Sequence, residues 1–151
     1  MAKIKILVGT VYGGARDVAD GIKPVLEQKG YQVDISEDPE IADLTDTDNA
    51  AILISCSTTG AGDFPPGFEK FYDSIQQVGM SLSHLKYGVI ALGDSSYDET
   101  FCDAGKKIDA TLEGFGAMRI GRRLDIDCAE YFEATEPALP WIEDWANRLV
   151  G

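Results

Sequence analysis

Hydroxyl side chains and glycines gather in three short segments of this chain: Gly9-Thr10-Val11-Tyr12-Gly13-Gly14, Ser57-Thr58-Thr59-Gly60-Ala61-Gly62-Asp63 and Leu92-Gly93-Asp94-Ser95-Ser96-Tyr97. In the first, Thr10 and Tyr12 supply hydroxyl donors. Gly13 and Gly14 let the backbone turn tightly and leave no Cβ between it and a ligand. If a helix starts there, its unpaired amides and the positive end of its dipole attract an anion without any basic side chain. The segment is not Gly-x-Gly-x-x-Gly and no Gly-Lys-Ser/Thr follows it, so the dinucleotide fingerprint and the nucleotide P-loop are both absent. A monoester phosphate held by neutral donors fits this chemistry.

The second segment joins three hydroxyl residues to Gly60, Gly62 and Asp63, then stiffens at Pro65-Pro66. In the third, Tyr97 is an aromatic on a polar turn flanked by Asp94, Ser95, Ser96, Asp98 and Glu99. Such a ring serves as a rim contact or a stacking plate, since packing does not require it.

Each segment lies where a strand pattern gives way to a helix pattern. Strand-like runs cover residues 3–8, 31–35, 50–56, 87–92 and 117–126, and the first, third and fourth are nearly continuous in Ile, Leu, Val and Ala, as strands covered on both faces should be. Helical stripes fall between most of them: Ala15, Val18, Ala19, Ile22, Val25 and Leu26, with Pro24 as a kink and Gly30 as the stop; Phe68, Phe71, Tyr72 and Ile75; and Ala104, Ile108, Leu112 and Phe115, stopped by Gly116. A last stripe of Ile142, Trp145, Ala146 and Leu149 follows Thr135 as a cap, with Pro140 placed in the first turn. Trp141 and Trp145 share a helix face and read as packing residues, whereas residues 41–49 read as a surface turn. The alternation predicts an α/β, doubly wound parallel sheet with helices on both faces. In such a sheet, loops leaving the carboxyl ends of neighbouring strands converge on one crevice, so the three segments predict one ligand site.

The 151 residues, 44% of them apolar, are enough for one domain burying roughly two thirds of its unfolded surface. No apolar run approaches the ~20 residues of a membrane span and no signal-peptide pattern precedes the first strand, which predicts a cytoplasmic protein. Cys56, Cys102 and Cys128 are odd in number and lack Cys-x-x-Cys spacing, as expected of reduced thiols. His84, the only histidine, is expected to be structural or exposed. A formal charge of −13, from 26 acids against 13 bases, repels nucleic acids and acidic membranes and suits a basic partner protein.

The three loops, in this order and over essentially the whole chain, resemble a short-chain flavodoxin, in particular the small YqcA/MioC type. The resemblance implies a flavodoxin-like, five-stranded sheet of order 2-1-3-4-5 and FMN as the cofactor. It places the phosphate on Thr10, Val11, Tyr12, Gly13, Gly14 and Ala15. The isoalloxazine ring falls between two loops: Ser57, Thr58, Thr59, Gly60, Ala61, Gly62 and Asp63 on one side, and Gly93, Asp94, Ser95, Tyr97, Phe101 and Cys102 on the other. Tyr97 matches the aromatic that stacks on the outer face of the ring. Gly60 matches the residue whose peptide flips so that its carbonyl accepts from the flavin N5–H after one electron is added. Asp127 matches an acidic residue of the same cleft. The chain departs from the common pattern at Tyr12, at Ala15 where a hydroxyl often contacts phosphate, at Thr59 where an inner aromatic commonly sits, and in a loop one residue longer after Tyr97.

The same resemblance implies a low-potential, one-electron carrier without substrate turnover, monomeric, working between a flavodoxin/ferredoxin-type reductase and an acceptor enzyme. An acidic, partly desolvated site disfavours an anionic reduced flavin and so lowers the potential. An acidic rim of Asp63, Asp94, Asp98, Glu99 and Asp127 would meet basic partners. The alternative is an interaction module of the same fold that binds FMN weakly or not at all. Gly93-Asp94-Ser95 also resembles an esterase nucleophile block, but the only histidine, His84, lies at the far end of the same strand, ~20 Å away. A receiver-type domain would need paired carboxylates for Mg²⁺ where Gly9-Thr10 stands.

Overall fold

Apolar strands need cover on both faces, and the chain supplies it by alternating strands with amphipathic helices. The structure, a computed structural model, describes residues 2–10, 13–58, 63–94, 102–131 and 133–150. The elements run β1 (Lys3–Gly9), α1 (Gly14–Gln28), β2 (Gln32–Ser36), α2 (Ile41–Thr45), β3 (Asn49–Ser57), α3 (Pro66–Val78), β4 (Lys86–Gly93), α4 (Asp103–Gly114), β5 (Met118–Arg119), β6 (Leu124–Asp127) and α5 (Thr135–Val150). The strands pair in parallel in the order β2-β1-β3-β4-β5, with β6 also on β4. Register aligns their carboxyl ends, Gly9 beside Cys56, Ser57 beside Leu92 and Gly93 beside Asp127.

Pleating sorts the core into two layers. Ile4, Ile6 and Val8 of β1, Ala51 and Leu53 of β3, and Ile90 and Leu92 of β4 pack with α1 and α5. Leu7, Ile52, Ile54, Cys56, Tyr87 and Val89 face the other way, against α3, α4 and Leu44 of α2. The helical stripes read from sequence supply both layers, and Trp145 is buried while Trp141 stacks on it at 6.2 Å between centroids. At the end of α1, Tyr31 N–H bonds to Leu26 O and Gly30 N–H to Glu27 O. Ala117 and Gly116 repeat the pattern on Leu112 and Glu113. These paired bonds use carbonyls that a helix end leaves open, so both glycine stops fall where expected.

Four expectations need correction. The run 117–126 is not one strand. β5 pairs with the start of β4 and β6 with its end, and the chain takes five steps from Arg119 to Leu124 while β4 takes three from Tyr87 to Ile90. The extra residues leave the ladder through Gly121 at φ +70°, and Trp141 Nε1–H donates to Arg122 O at 3.1 Å. Residues 41–49 are not only a turn. Ile41–Thr45 is helical, with Glu40 N–H donating to Asp43 Oδ2 and Leu44 buried. Thr135 is the first helical residue of α5 rather than its cap, and Pro140 lies beyond the first turn. Pro140 is exposed, so water can serve the Glu136 carbonyl that its missing N–H leaves open. Helix α1, for its part, continues past Pro24 to Gln28.

Candidate functional site

The site is built on the aligned carboxyl ends of β1, β3 and β4. Behind β1, Gly13 adopts φ +89° and ψ −4° as the N-cap of α1, a conformation that costs other residues roughly 1–2 kcal/mol. Its N–H donates to Thr10 Oγ1 at 2.8 Å, leaving the Thr10 hydroxyl hydrogen available. Having no side chain, Gly13 caps none of the first-turn amides. Those of Gly14, Ala15 and Arg16 have no acceptor within the helix, the arrangement that attracts an anion. Arg16 itself is occupied by Asp20 at 3.0 Å and Glu37 at 3.2 Å. The donors that the described part of this loop offers are therefore backbone amides and the Thr10 hydroxyl.

Behind β3, Ser57 closes the strand and Thr58 N–H crosses to Leu92 O at 3.0 Å. At the other end of this loop, Asp63 is exposed and precedes the buried Phe64. Phe64 lies 4.6 Å from Tyr72 and 5.8 Å from Phe68 between ring centroids, which anchors the loop's far end on α3. Pro65 is the N-cap of α3, so Asp63 stands two residues outside it.

Behind β4, Gly93 is pressed against the returning chain, since a Cβ there would lie 2.6 Å from Cys102 N. Only glycine lets the ends of the third loop close so tightly. Cys102 has φ +56°. Its thiol is buried toward Ala91 O at 3.5 Å and Ile126 O at 3.9 Å, so what Cys102 offers the cleft is backbone. Burial, and then the Asp125 carboxylate, pushes this thiol up to about 12. Asp127 lies beside Gly93, and its Oδ1 accepts from Ala129 N–H at 2.9 Å, shaping the next turn. The exposed Cys128 donates its N–H to Gly93 O at 2.7 Å. Its thiol is held above the usual range by partial burial and then by the carboxylates of Asp127 and Asp94.

The structure thus brings together Thr10, Gly13, Gly14, Ala15, Ser57, Thr58, Gly93, Asp94, Cys102 and Asp127, with Asp63 at the far end of its loop. Val11, Tyr12, Thr59, Gly60, Ala61, Gly62, Ser95, Tyr97 and Phe101 lie outside the described residues. A cavity of about 390 Å³ adjoins the cleft, lined by Gly14, Asp17, Leu92, Cys128, Tyr131, Glu133, Ala134 and Thr135. Sequence reasoning did not foresee it, because its walls come from chain segments far apart. It also passed over Ser55, whose only signal is a polar residue inside the run Ile52-Leu53-Ile54-Ser55. His84 is exposed, with its Nε2 3.1 Å from Leu44 O. All three cysteines are free. Among the described residues no helix is long and apolar enough to cross a membrane.

A family model described as Flavodoxin matches residues 6–141. The chain belongs to the flavodoxin family. It is 41% identical to Flavodoxin YqcA of Pectobacterium carotovorum subsp. carotovorum over 149 residues, 99% of this chain and 98% of that one. It is 34% identical to Protein MioC of Escherichia coli (strain K12), with 99% of each chain covered. Among solved structures, a cysteine-to-serine mutant of flavodoxin from Pseudomonas aeruginosa superposes with a TM-score of 0.89 at 31% identity, with 99% of each chain covered. The sheet order and two-faced helical cover are those of a short-chain flavodoxin, and membership implies FMN as the cofactor. The described residues fit that group: a helix N-terminus whose glycine cap leaves its first amides without a side-chain acceptor suits a phosphate, and the described ends of two further loops leave the same edge of the sheet.

Proposed function

We propose that this chain is an FMN-dependent, low-potential carrier of single electrons between a reductase and acceptor enzymes, with no substrate turnover of its own. The observation that carries the reading is the uncapped start of α1 beside the joined loop ends of β3 and β4. When bound, FMN supplies the redox chemistry and the protein supplies its place and its surroundings. Thr10 and the amides of residues 11–15 would hold the phosphate. The loops 57–63 and 93–102 would hold the ring, Tyr97 by stacking, Gly60 by offering its carbonyl as an acceptor and Asp127 as an acidic neighbour. Asp63, Asp94, Asp98, Glu99 and Asp127 set a negative rim that disfavours added negative charge on the ring and steers basic partner proteins. The same reading makes residues 1–151 one FMN-binding domain, monomeric and cytoplasmic.

Titration of the flavin-free chain with FMN, followed by anaerobic redox titration of the complex, tests this. Quenching of FMN fluorescence and two separated one-electron steps are expected. A chain that stays colourless and quenches nothing would instead be an interaction module of the same fold.

A further inference from the structure

β3 runs out as Ser55-Cys56-Ser57-Thr58, and the pleat sends alternate side chains to opposite faces of the sheet. Ser55 continues the row of Ala51 and Leu53 that faces α1 and α5, and it is fully buried. A hydroxyl there costs free energy unless it is bonded. It donates to Ala15 O at 2.9 Å, in the first turn of α1. Thr58 continues the opposite row, Ile52, Ile54 and Cys56, and its Oγ1 accepts from Ala104 N–H at 3.2 Å. Ala104 is in the first turn of α4, where amides have no acceptor within the helix. The helix's own N-cap, Cys102, makes no side-chain capping bond. Capping of α4 is therefore supplied from a different loop, and the same residue's N–H ties that loop to Leu92 O.

We propose that Ser55 and Thr58 are positioning residues that together set the width of the cleft. From one strand end they fix the starts of two helices on opposite faces: α1, which presents the phosphate amides, and α4, into which the third loop feeds. The inference rests on the flavin reading above. It gives Thr58 a role through α4 that needs no contact with the ring, and it brings in Ser55, which lies below the cleft floor.

The test measures FMN affinity by fluorescence quenching, and amide hydrogen exchange at Ala104 in the flavin-free chain, for the unaltered protein, Ser55→Ala, Thr58→Val, Thr58→Ser and the double variant Ser55→Ala/Thr58→Val. Loss of the cap in Thr58→Val is expected to speed exchange at Ala104 and raise the FMN dissociation constant by roughly tenfold each, with Thr58→Ser restoring most of both. Ser55→Ala should raise the dissociation constant several-fold. The double variant should show the product of the two effects, because the helices lie on opposite faces. Unchanged FMN affinity in Thr58→Val with faster exchange at Ala104 would overturn the proposal and leave the flavin reading standing. Lost affinity with unchanged exchange would overturn it too, by making Thr58 a direct contact. Failure of the unaltered chain to bind FMN would remove the flavin reading and this inference with it.

Discussion

Cys128 presents an exposed thiol, whereas Cys56 and Cys102 are buried and burial raises both. Thiol reagents attack the thiolate, so at pH 8 the exposed Cys128 should react in the folded chain, more slowly than a free thiol because its proton is held, and the other two only in denaturant. A second equivalent without denaturant would mean that solvent reaches one of the buried thiols. At the proposed ring face, Tyr97→Ala should weaken FMN binding roughly tenfold and shift the potentials while the fold persists, as loss of one aromatic contact implies. Equal affinity and potentials would make Tyr97 a rim residue. What was legible at this scale was legible because it is local: Thr10 and Gly13 meet across three residues, and a loop of hydroxyls and glycine announces itself. Thr58 could be read as a loop hydroxyl, but its partner Ala104 lies 46 residues on and no local pattern points there.

At the scale of elements, Asp109 ties the interrupted edge of the sheet to α4. Its buried carboxylate accepts from Tyr87 Oη at 2.6 Å and from Arg119 and Arg123 at 2.8 Å each. Asp109→Ala would take the shared carboxylate from two guanidinium groups and a buried phenol, while Arg123 keeps Asp125, Arg119 keeps Gly121 O and Tyr87 keeps the backbone carbonyl of residue 109, so the cost is on the order of 2 kcal/mol. The urea midpoint should fall accordingly. FMN affinity should hold, because Tyr87 lies near the start of β4 and the cleft at its end. A midpoint within error of the parent would show that the arginines find other acceptors. The helices that feed both core layers could be read from their stripes, since apolar residues recur at helical spacing. The break in the edge strand could not, because it follows from how residues 119–123 meet α4 and Trp141 rather than from their own pattern. The short α2 was hidden for a similar reason, its one buried side chain, Leu44, being too little to make a stripe.

For the whole molecule, burial keeps Cys56, Cys102 and Tyr87 neutral well above their ordinary values of 9.0 and 10.0; the Asp109 hydrogen bond reinforces the effect at Tyr87. Below about pH 8 the folded and unfolded chains hold these protons nearly alike. Above it the unfolded chain releases protons that the folded chain keeps, so stability falls as pH rises, by up to ~1.4 kcal/mol per pH unit for each group. The denaturant midpoint should be clearly lower at pH 10.5 than at pH 8, and equal midpoints would mean that these groups ionise in place. The broken edge strand bears on a different property of the molecule. An open sheet ends in unpaired N–H and C=O groups that can template another chain. Here the edge beyond β4 is two residues, a departure at Gly121, then four residues, with Arg119 and Arg123 alongside. A neighbouring chain finds no straight run of backbone to extend, so the sheet is protected against growth from that side.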